Sequence, residues 1–298
     1  MRRAAAVAGL AALYLAFGAG LTSLAAGPEQ SGPPISAAPP PPSPYVPPPR
    51  ASQRAAESDA ATYDRCLTLA KTDPEAARDL AERWQSRGGA HPADHCYAVS
   101  LIGLKQYKEG ATRLESLAQA MVHAPASLRA EVLDQASQAW LLAGDAARAF
   151  AADSAALNLL PGNPDILVDR AEAAGSEGSY DKALDDLDRV LKTDPTRLDA
   201  LTYRASAYRE LNKLDLALAD IDRAVELSPN SVSALLERGD IRRLSGDING
   251  ARQDWVRVSE LAPGSAADAE AKTNIERLEL KEDAVAPGDT PARPGAAK

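Results

Sequence analysis

The chain has 298 residues, enough for one or two domains with their own cores. Aromatic residues make up only 4% of it, while Ala and Leu are abundant, a composition typical of an all-α protein whose helices approach closely over small side chains. The formal net charge is -9, so the sequence lacks the basic surface that nucleic-acid binding requires, and we expect no nucleic-acid partner.

The N-terminus has the features of an export signal. Two arginines precede an apolar stretch from Ala4 to Leu21, and small residues follow at Ser23 and Ala25. This order predicts a secretory signal peptide over residues 1–25. The alternative is an uncleaved membrane anchor formed by residues 4–24, although a stretch rich in Ala and Gly favours cleavage. Either way we expect a periplasmic or otherwise exported protein, with membrane contact only if the segment is uncleaved.

Residues 26–57 have a different composition, because eleven of the 22 prolines of the chain lie between Pro28 and Pro49. Proline fixes φ and removes a backbone donor, so we expect a disordered, extended linker without a core. A second interpretation is a docking ligand, since Pro41, Pro44 and Pro47 have the spacing of proline-rich recognition motifs. Residues 284–298 are rich in Ala, Pro and Gly, and they predict a disordered tail.

Between these segments the sequence repeats every 34 residues. The period is marked by prolines, at Pro161, Pro195, Pro229 and Pro263. A small residue precedes each proline by twelve positions, at Ala149, Ala183, Ala217 and Ala251. Another small residue recurs early in each unit, at Ser137, Ala171, Ala205 and Gly239. Such a unit is a helix, a turn, a second helix and a proline-marked turn, with small residues where two helices cross.

This pattern resembles the tetratricopeptide repeat family, and the best match runs from Tyr203 through Ala217 to Pro229. The resemblance implies an all-α fold, a right-handed superhelical solenoid of helix-turn-helix repeats. Four units occupy residues 130–263, and degenerate helical repeats occupy residues 58–129. An apolar stripe follows the last unit, at Ala267, Ala271, Ile275 and Leu278. It predicts a C-terminal capping helix over residues 264–283.

The two cysteines, Cys66 and Cys96, predict a disulfide in an exported protein. It would join the first helices of the two degenerate pairs and stabilise them by roughly 3–4 kcal/mol. The alternative is two separate buried thiols. His91 and His95 adjoin Cys96 with the residue types of a metal site, but Pro92 lies between the histidines, so we expect a loop that leads into a helix and no metal or other cofactor.

A charged pattern follows the same period. Each repeated Arg precedes an Asp by 16 residues, which predicts three ion pairs between the two helices of a unit, Arg170–Asp186, Arg204–Asp220 and Arg238–Asp254. A row of ligand-binding arginines is the alternative interpretation.

The concave side of such a solenoid is lined mainly by first helices. The predicted groove residues are Val168, Glu172, Thr202, Ser206, Arg209, Leu236, Asp240 and Arg243. The best-known peptide-binding members of the family clamp a C-terminal carboxylate with Lys and Asn, which this groove lacks, so that activity is not implied.

The sequence thus predicts an exported scaffold that binds a protein or peptide through a concave groove in the cell envelope. A regulatory or accessory subunit of an envelope enzyme or export complex is the alternative. An enzyme would need a nucleophile or metal site, and no catalytic motif is present in the sequence.

Overall fold

The computed structural model describes residues 51–285, with side chains described for residues 58–279. This part contains thirteen α-helices and no strand. The helices are α1 (Ala51–Thr72), α2 (Pro74–Gln85), α3 (Ala90–Gly103), α4 (Tyr107–Ala120), α5 (Ala126–Leu142), α6 (Ala146–Leu159), α7 (Pro164–Glu177), α8 (Tyr180–Thr193), α9 (Leu198–Glu210), α10 (Leu214–Leu227), α11 (Val232–Leu244), α12 (Ile248–Leu261) and α13 (Ala266–Val285). The predicted signal peptide, residues 26–50 of the predicted linker and residues 286–298 of the predicted tail lie outside the described residues.

The helices form six antiparallel pairs, α1–α2 to α11–α12, followed by the single helix α13. Each helix packs against the next one in the chain, which produces a solenoid. The predicted all-α solenoid with a capping helix is confirmed. Within residues 51–285, no helix is both long enough and apolar enough to cross a membrane.

Two boundaries differ from the prediction. Residues 51–57, assigned to the linker, belong to α1, because this stretch contains no proline and consists largely of good helix formers. The stretch around Pro92 is not a loop, since α3 begins at Ala90 and Pro92 occupies its first turn. A proline is tolerated there because the first backbone N–H groups of a helix have no acceptor within the helix.

The repeated prolines end the second helices. Each follows the last residue of its helix by two positions, as Pro195 follows Thr193 of α8 and Pro229 follows Leu227 of α10. Two first helices begin at polar caps: the side chain of Asn163 accepts from the backbone N–H groups of two residues of α7, and the side chain of Ser231 accepts from Ala234 of α11. The same helix ends at Gly178, whose φ of 81° favours glycine.

Small and large side chains are matched where the two helices of a unit cross. In the unit α11–α12, Gly239 leaves room for the indole of Trp255, which would overlap a Cβ atom at that position. The corresponding pairs in the two preceding units are Ala171 with Leu187 and Ala205 with Ile221, all buried in one cluster. In these three units a small residue of the first helix thus faces a large apolar residue of the second, as close packing requires.

The crossing in α5–α6 is polar. Ser137 donates a hydrogen bond to Asp153 Oδ2 at 2.5 Å, and both residues are fully buried. Asp153 occupies the position that holds an apolar residue in the other three units. Burial raises the pKa of Asp153 well above its usual range, which favours the neutral carboxyl over the carboxylate.

The N-terminal pairs are joined covalently. Cys66 of α1 and Cys96 of α3 form a disulfide, with Cα atoms 6.0 Å apart. Both are fully buried, in a cluster that includes Ala77, Ala81 and Trp84. The bridge closes a loop with a sequence separation of 30 residues, in the region where the repeat pattern is weakest.

We predict that Gly239→Ala lowers the free energy of unfolding by about 1–3 kcal/mol, because the added methyl group must displace the Trp255 indole. Urea unfolding measures the change. Gly175→Ala in α7 is the matched control, since its Cβ would contact nothing within 4 Å and a helical Ala is favoured over Gly by about 0.5–1 kcal/mol. Equal destabilisation by both changes would contradict the volume matching.

Candidate functional site

The first helices of successive units lie against one another. The contacts join α5 to α7, α7 to α9, α9 to α11 and α11 to α13, whereas no comparable contact joins successive second helices within the described part of the chain. Neighbouring helices lie closer together on the inner side of a curved solenoid than on its outer side, so the first helices line the concave side. We call their solvent-facing surface, from α5 to α13, the concave face.

The structure brings together all three predicted ion pairs. Arg204 Nε and Nη2 donate to the two carboxylate oxygens of Asp220 at 2.7 and 2.8 Å. The same two-bond geometry joins Arg170 to Asp186, at 2.8 and 2.8 Å, and Arg238 to Asp254, at 2.9 and 2.7 Å. Two parallel bonds from a planar guanidinium to a carboxylate fix the angle as well as the distance between the helices.

Each of these arginines also reaches the preceding unit. Nη1 of Arg204 donates to Asp188 of α8 at 2.7 Å, and Nη1 of Arg238 donates to Asp222 of α10 at 3.3 Å. In the first unit of the series, Arg170 donates to the Ser154 hydroxyl at 3.3 Å. One guanidinium therefore connects three helices, and its donors are occupied within the fold. This arrangement favours a structural role over the row of ligand-binding arginines.

Three of the eight predicted groove residues do not lie on the concave face. Val168 and Leu236 are buried in the core, and Thr202 is buried with its hydroxyl donating to the Leu198 carbonyl at 2.8 Å. The prediction was wrong by one position, because one residue along a helix rotates the side chain by about 100°. The other five residues are partly exposed on the first helices: Glu172, Ser206, Arg209, Asp240 and Arg243.

The positions following the three buried residues were missed by the sequence reasoning. They carry Asp169 and Tyr203, which are partly exposed, and Glu237, which is itself buried, and the equivalent position of α5 carries Gln135. Asp169 and Glu172 are three residues apart and therefore share one side of α7. The 34-residue register together with this helical spacing was the signal that could have found them.

A pair of carboxyl groups connects α5 and α7. Gln138 Nε2 donates to Asp169 Oδ2 at 2.9 Å and to Asp134 Oδ2 at 3.4 Å. Burial, together with the charge of Asp169, raises the pKa of Asp134 to about 8, and burial also raises the pKa of Asp169. Two neighbouring, partly buried carboxylates repel each other, so the Asp134–Asp169 pair retains a proton at neutral pH.

The next carboxyl group along the face is Glu172 of α7. The Tyr203 hydroxyl of α9 donates to Glu172 Oε2 at 2.6 Å. Burial raises the pKa of Glu172, and the hydrogen bond from Tyr203 opposes that rise.

The C-terminal half of the face is different. Arg209 Nε donates to Glu237 Oε1 at 2.7 Å, and its Nη1 donates to Glu210 Oε1 at 2.6 Å. Asn274 of α13 donates to Asp240 Oδ1 at 3.1 Å. Glu237 and Asp240 therefore have cationic or amide donors.

At the N-terminal end, His95 links three first helices. Burial lowers the pKa of His95, so the ring is neutral at pH 7. Its Nε2 then donates to Gln135 Oε1 at 2.6 Å, and its Nδ1 accepts from the Tyr63 hydroxyl at 2.8 Å. Cys96 is in the disulfide. Among the described residues, no group of three or more His, Cys, Asp and Glu is arranged to hold a metal ion.

The tetratricopeptide repeat family model matches residues 168–232 and 204–266, from α7 to the start of α13. The chain contains tetratricopeptide repeats. The resemblance inferred from the sequence is confirmed over these residues, and the chain has the architecture of a protein-interaction scaffold. No match to a curated protein was found.

Solved structures are similar to the solenoid. A thermophilic tetratricopeptide repeat protein of Thermus thermophilus is 18% identical, with 64% of this chain and 100% of that chain covered and a TM-score of 0.52. MamA of Desulfovibrio magneticus RS-1 is 21% identical, covering 63% and 94%, with a TM-score of 0.45. The first repeat domain of Spaghetti (RPAP3), solved with an HSP90 peptide, is 28% identical, covering 40% and 93%, with a TM-score of 0.37. The first of these similarities supports the fold.

We predict that Arg204→Ala lowers the free energy of unfolding by about 2 kcal/mol, with a lower melting temperature, because it leaves two carboxylates without their donor. The control is Arg223→Ala, which removes an exposed pair with Glu226 inside α10 and should cost less than about 0.5 kcal/mol. Thermal unfolding compares them. If the two variants melt at the same temperature, the three-helix connection contributes nothing to stability.

The carboxyl pair of α5 and α7 predicts a pH dependence. In the unfolded chain Asp134 titrates near pH 4, and in the folded chain near pH 8, so between these values the folded state binds more protons than the unfolded state. The contribution of Asp134 to stability is therefore fully present below about pH 4 and is lost as the pH rises to about 8.

Asp134→Asn removes this titration and keeps an amide that can hydrogen-bond Asp169. We expect the urea midpoint of Asp134→Asn, relative to the native protein, to increase between pH 5 and pH 9. Asp185→Asn, at an exposed position of α8, is the control and should show no such increase. A constant difference for Asp134→Asn would rule out a shared proton.

Proposed function

We propose that the protein is an exported scaffold that binds another protein along the concave face. The observation that carries the proposal is a continuous row of polar side chains on successive first helices, Glu172 of α7, Ser206 of α9, Asp240 of α11 and Asn274 of α13, each 34 residues apart. Stacked repeats of this kind present an extended surface, which suits an extended or helical segment of a partner.

Two features support export as part of this proposal. The apolar stretch from Ala4 to Leu21 has the composition and flanks of a secretory signal. The buried disulfide between Cys66 and Cys96 suits an oxidising compartment, because cytosolic thiols are kept reduced.

Site-specific photo-crosslinking tests the proposal. A photoreactive amino acid is placed at Ser206 or Arg243 on the concave face, and at Ala219, an exposed position of α10, as the matched control. Cells producing the full chain are irradiated and fractionated. We expect adducts in the envelope fraction from the two concave positions and none from position 219, because only the concave face is covered by the partner.

Mass spectrometry of the adducts identifies the partner and separates a scaffold from an accessory subunit of one enzyme. Absence of adducts at both concave positions, or equal adducts at position 219, would overturn the proposed face. Protein found only in the cytoplasmic fraction would overturn export.

A further inference from the structure

The N-terminal half of the concave face carries six carboxyl groups, four of which have no cationic partner within residues 58–279. They lie on three successive first helices: Glu131 and Asp134 on α5, Asp165, Asp169 and Glu172 on α7, and Asp199 on α9. We call this group the acidic face. Arg197 neutralises two of its members, binding Asp165 and Asp199 at 2.7 Å each. None of the other four forms an ion pair within residues 58–279.

The same positions of later repeats do have cationic partners. Glu237 is two repeats beyond Asp169 and accepts from Arg209 at 2.7 Å. Asp240 is two repeats beyond Glu172, and the positive charges of Arg209 and two further arginines lower its pKa against the effect of burial. Because both halves are built on the same helix pairs, the fold does not require unpaired carboxyl groups at these positions.

Buried oxygens of the acidic region are also left without hydrogen bonds. Asp134 Oδ1 and Asp153 Oδ1 are inaccessible to solvent and have no partner, and Asp153 is fully buried. The charges of Asp134 and Asp169 contribute to the raised pKa of Asp153. A cluster of this kind lowers its own repulsion by holding protons, and it releases them when a cation arrives.

The cation that follows Asp169 in the chain is not available. The guanidinium of Arg170 is directed to Asp186 and Ser154. Since no ion pair forms at Asp169 or Glu172 within residues 58–279, we look to another molecule for their cation. The net charge of -9 favours the approach of a basic partner.

We propose that the acidic face binds a basic segment of the partner protein, with a Lys or Arg side chain lying between Asp169 and Glu172. This inference rests on the proposed function and specifies the chemistry of the partner. The titratable and charged groups around Asp134 and Asp169 are Glu131 from α5, Asp153 from α6, Asp165, Arg170 and Glu172 from α7, and Asp199 and Tyr203 from α9.

The binding test uses a fluorescein-labelled peptide of about ten residues with alternating Ala and Lys, and a Glu-containing counterpart, with the purified full chain at physiological salt. The double variant Asp169→Asn/Glu172→Gln should weaken binding of the Lys peptide by about tenfold or more, with no binding of the Glu peptide to any form. Both changes remove repulsion and preserve shape, so folding should be retained, and circular dichroism checks it.

The matched control is Asp185→Asn/Asp215→Asn, at exposed positions of α8 and α10, which changes the net charge by the same amount. It should weaken binding less than about twofold. Equal weakening by the two double variants would show that the peptide binds to general negative charge and would overturn the inference.

Crosslinking in cells separates this inference from the proposed function. Adducts at Ser206 that disappear in Asp169→Asn/Glu172→Gln support a basic partner segment. Adducts that persist in this variant overturn the inference and leave the scaffold proposal intact. If the native protein itself gives no adducts at the concave positions, the proposed function is overturned.

Discussion

The solenoid depends on a guanidinium that connects three helices. Arg170, Arg204 and Arg238 each bind an Asp of their own unit with two parallel bonds and reach a side chain of the preceding second helix with a third donor. Ridge-and-groove packing of small apolar residues tolerates a range of crossing angles, whereas a planar donor with two bonds to one carboxylate does not. The repeated arginines therefore restrict both the geometry inside a unit and the stacking of one unit on the next.

This use of arginine has a consequence for the surface. The guanidinium of Arg170, next to Asp169 in the chain, is held between the helices, and within the described residues Asp134, Asp169 and Glu172 accept hydrogen bonds from Gln138 and Tyr203. In the C-terminal half, Arg209 lies on the face itself and binds Glu237. The two halves share one backbone plan but differ in the placement of positive charge, and electrostatic complementarity of this kind contributes to the choice of partner more than to raw affinity.

The core shows how one repeat plan tolerates different residues. At the crossing of the two helices, Gly239 faces Trp255 and Ser137 faces Asp153. The first combination matches a missing side chain with a large one, and the second replaces an apolar contact by a buried hydrogen bond. Burial raises the pKa of Asp153 and so favours its neutral form, which costs less to bury than a carboxylate.

The amino-acid sequence by itself determined the helix pairs, the Arg–Asp partners 16 residues apart and the pairing of Cys66 with Cys96, because these follow from a local period and from the geometry of neighbouring helices. Tertiary structure decided which side chains reach the concave face. Val168 and Leu236 are buried, although the repeat pattern predicted them on the concave face. One position along a helix rotates a side chain by about 100°, and the repeat pattern of a single sequence does not define the exposed side of a helix that accurately. Tertiary structure also decided that the pKa values of Asp134 and Asp169, on different first helices, are raised, because desolvation and repulsion depend on neighbours that only folding brings together.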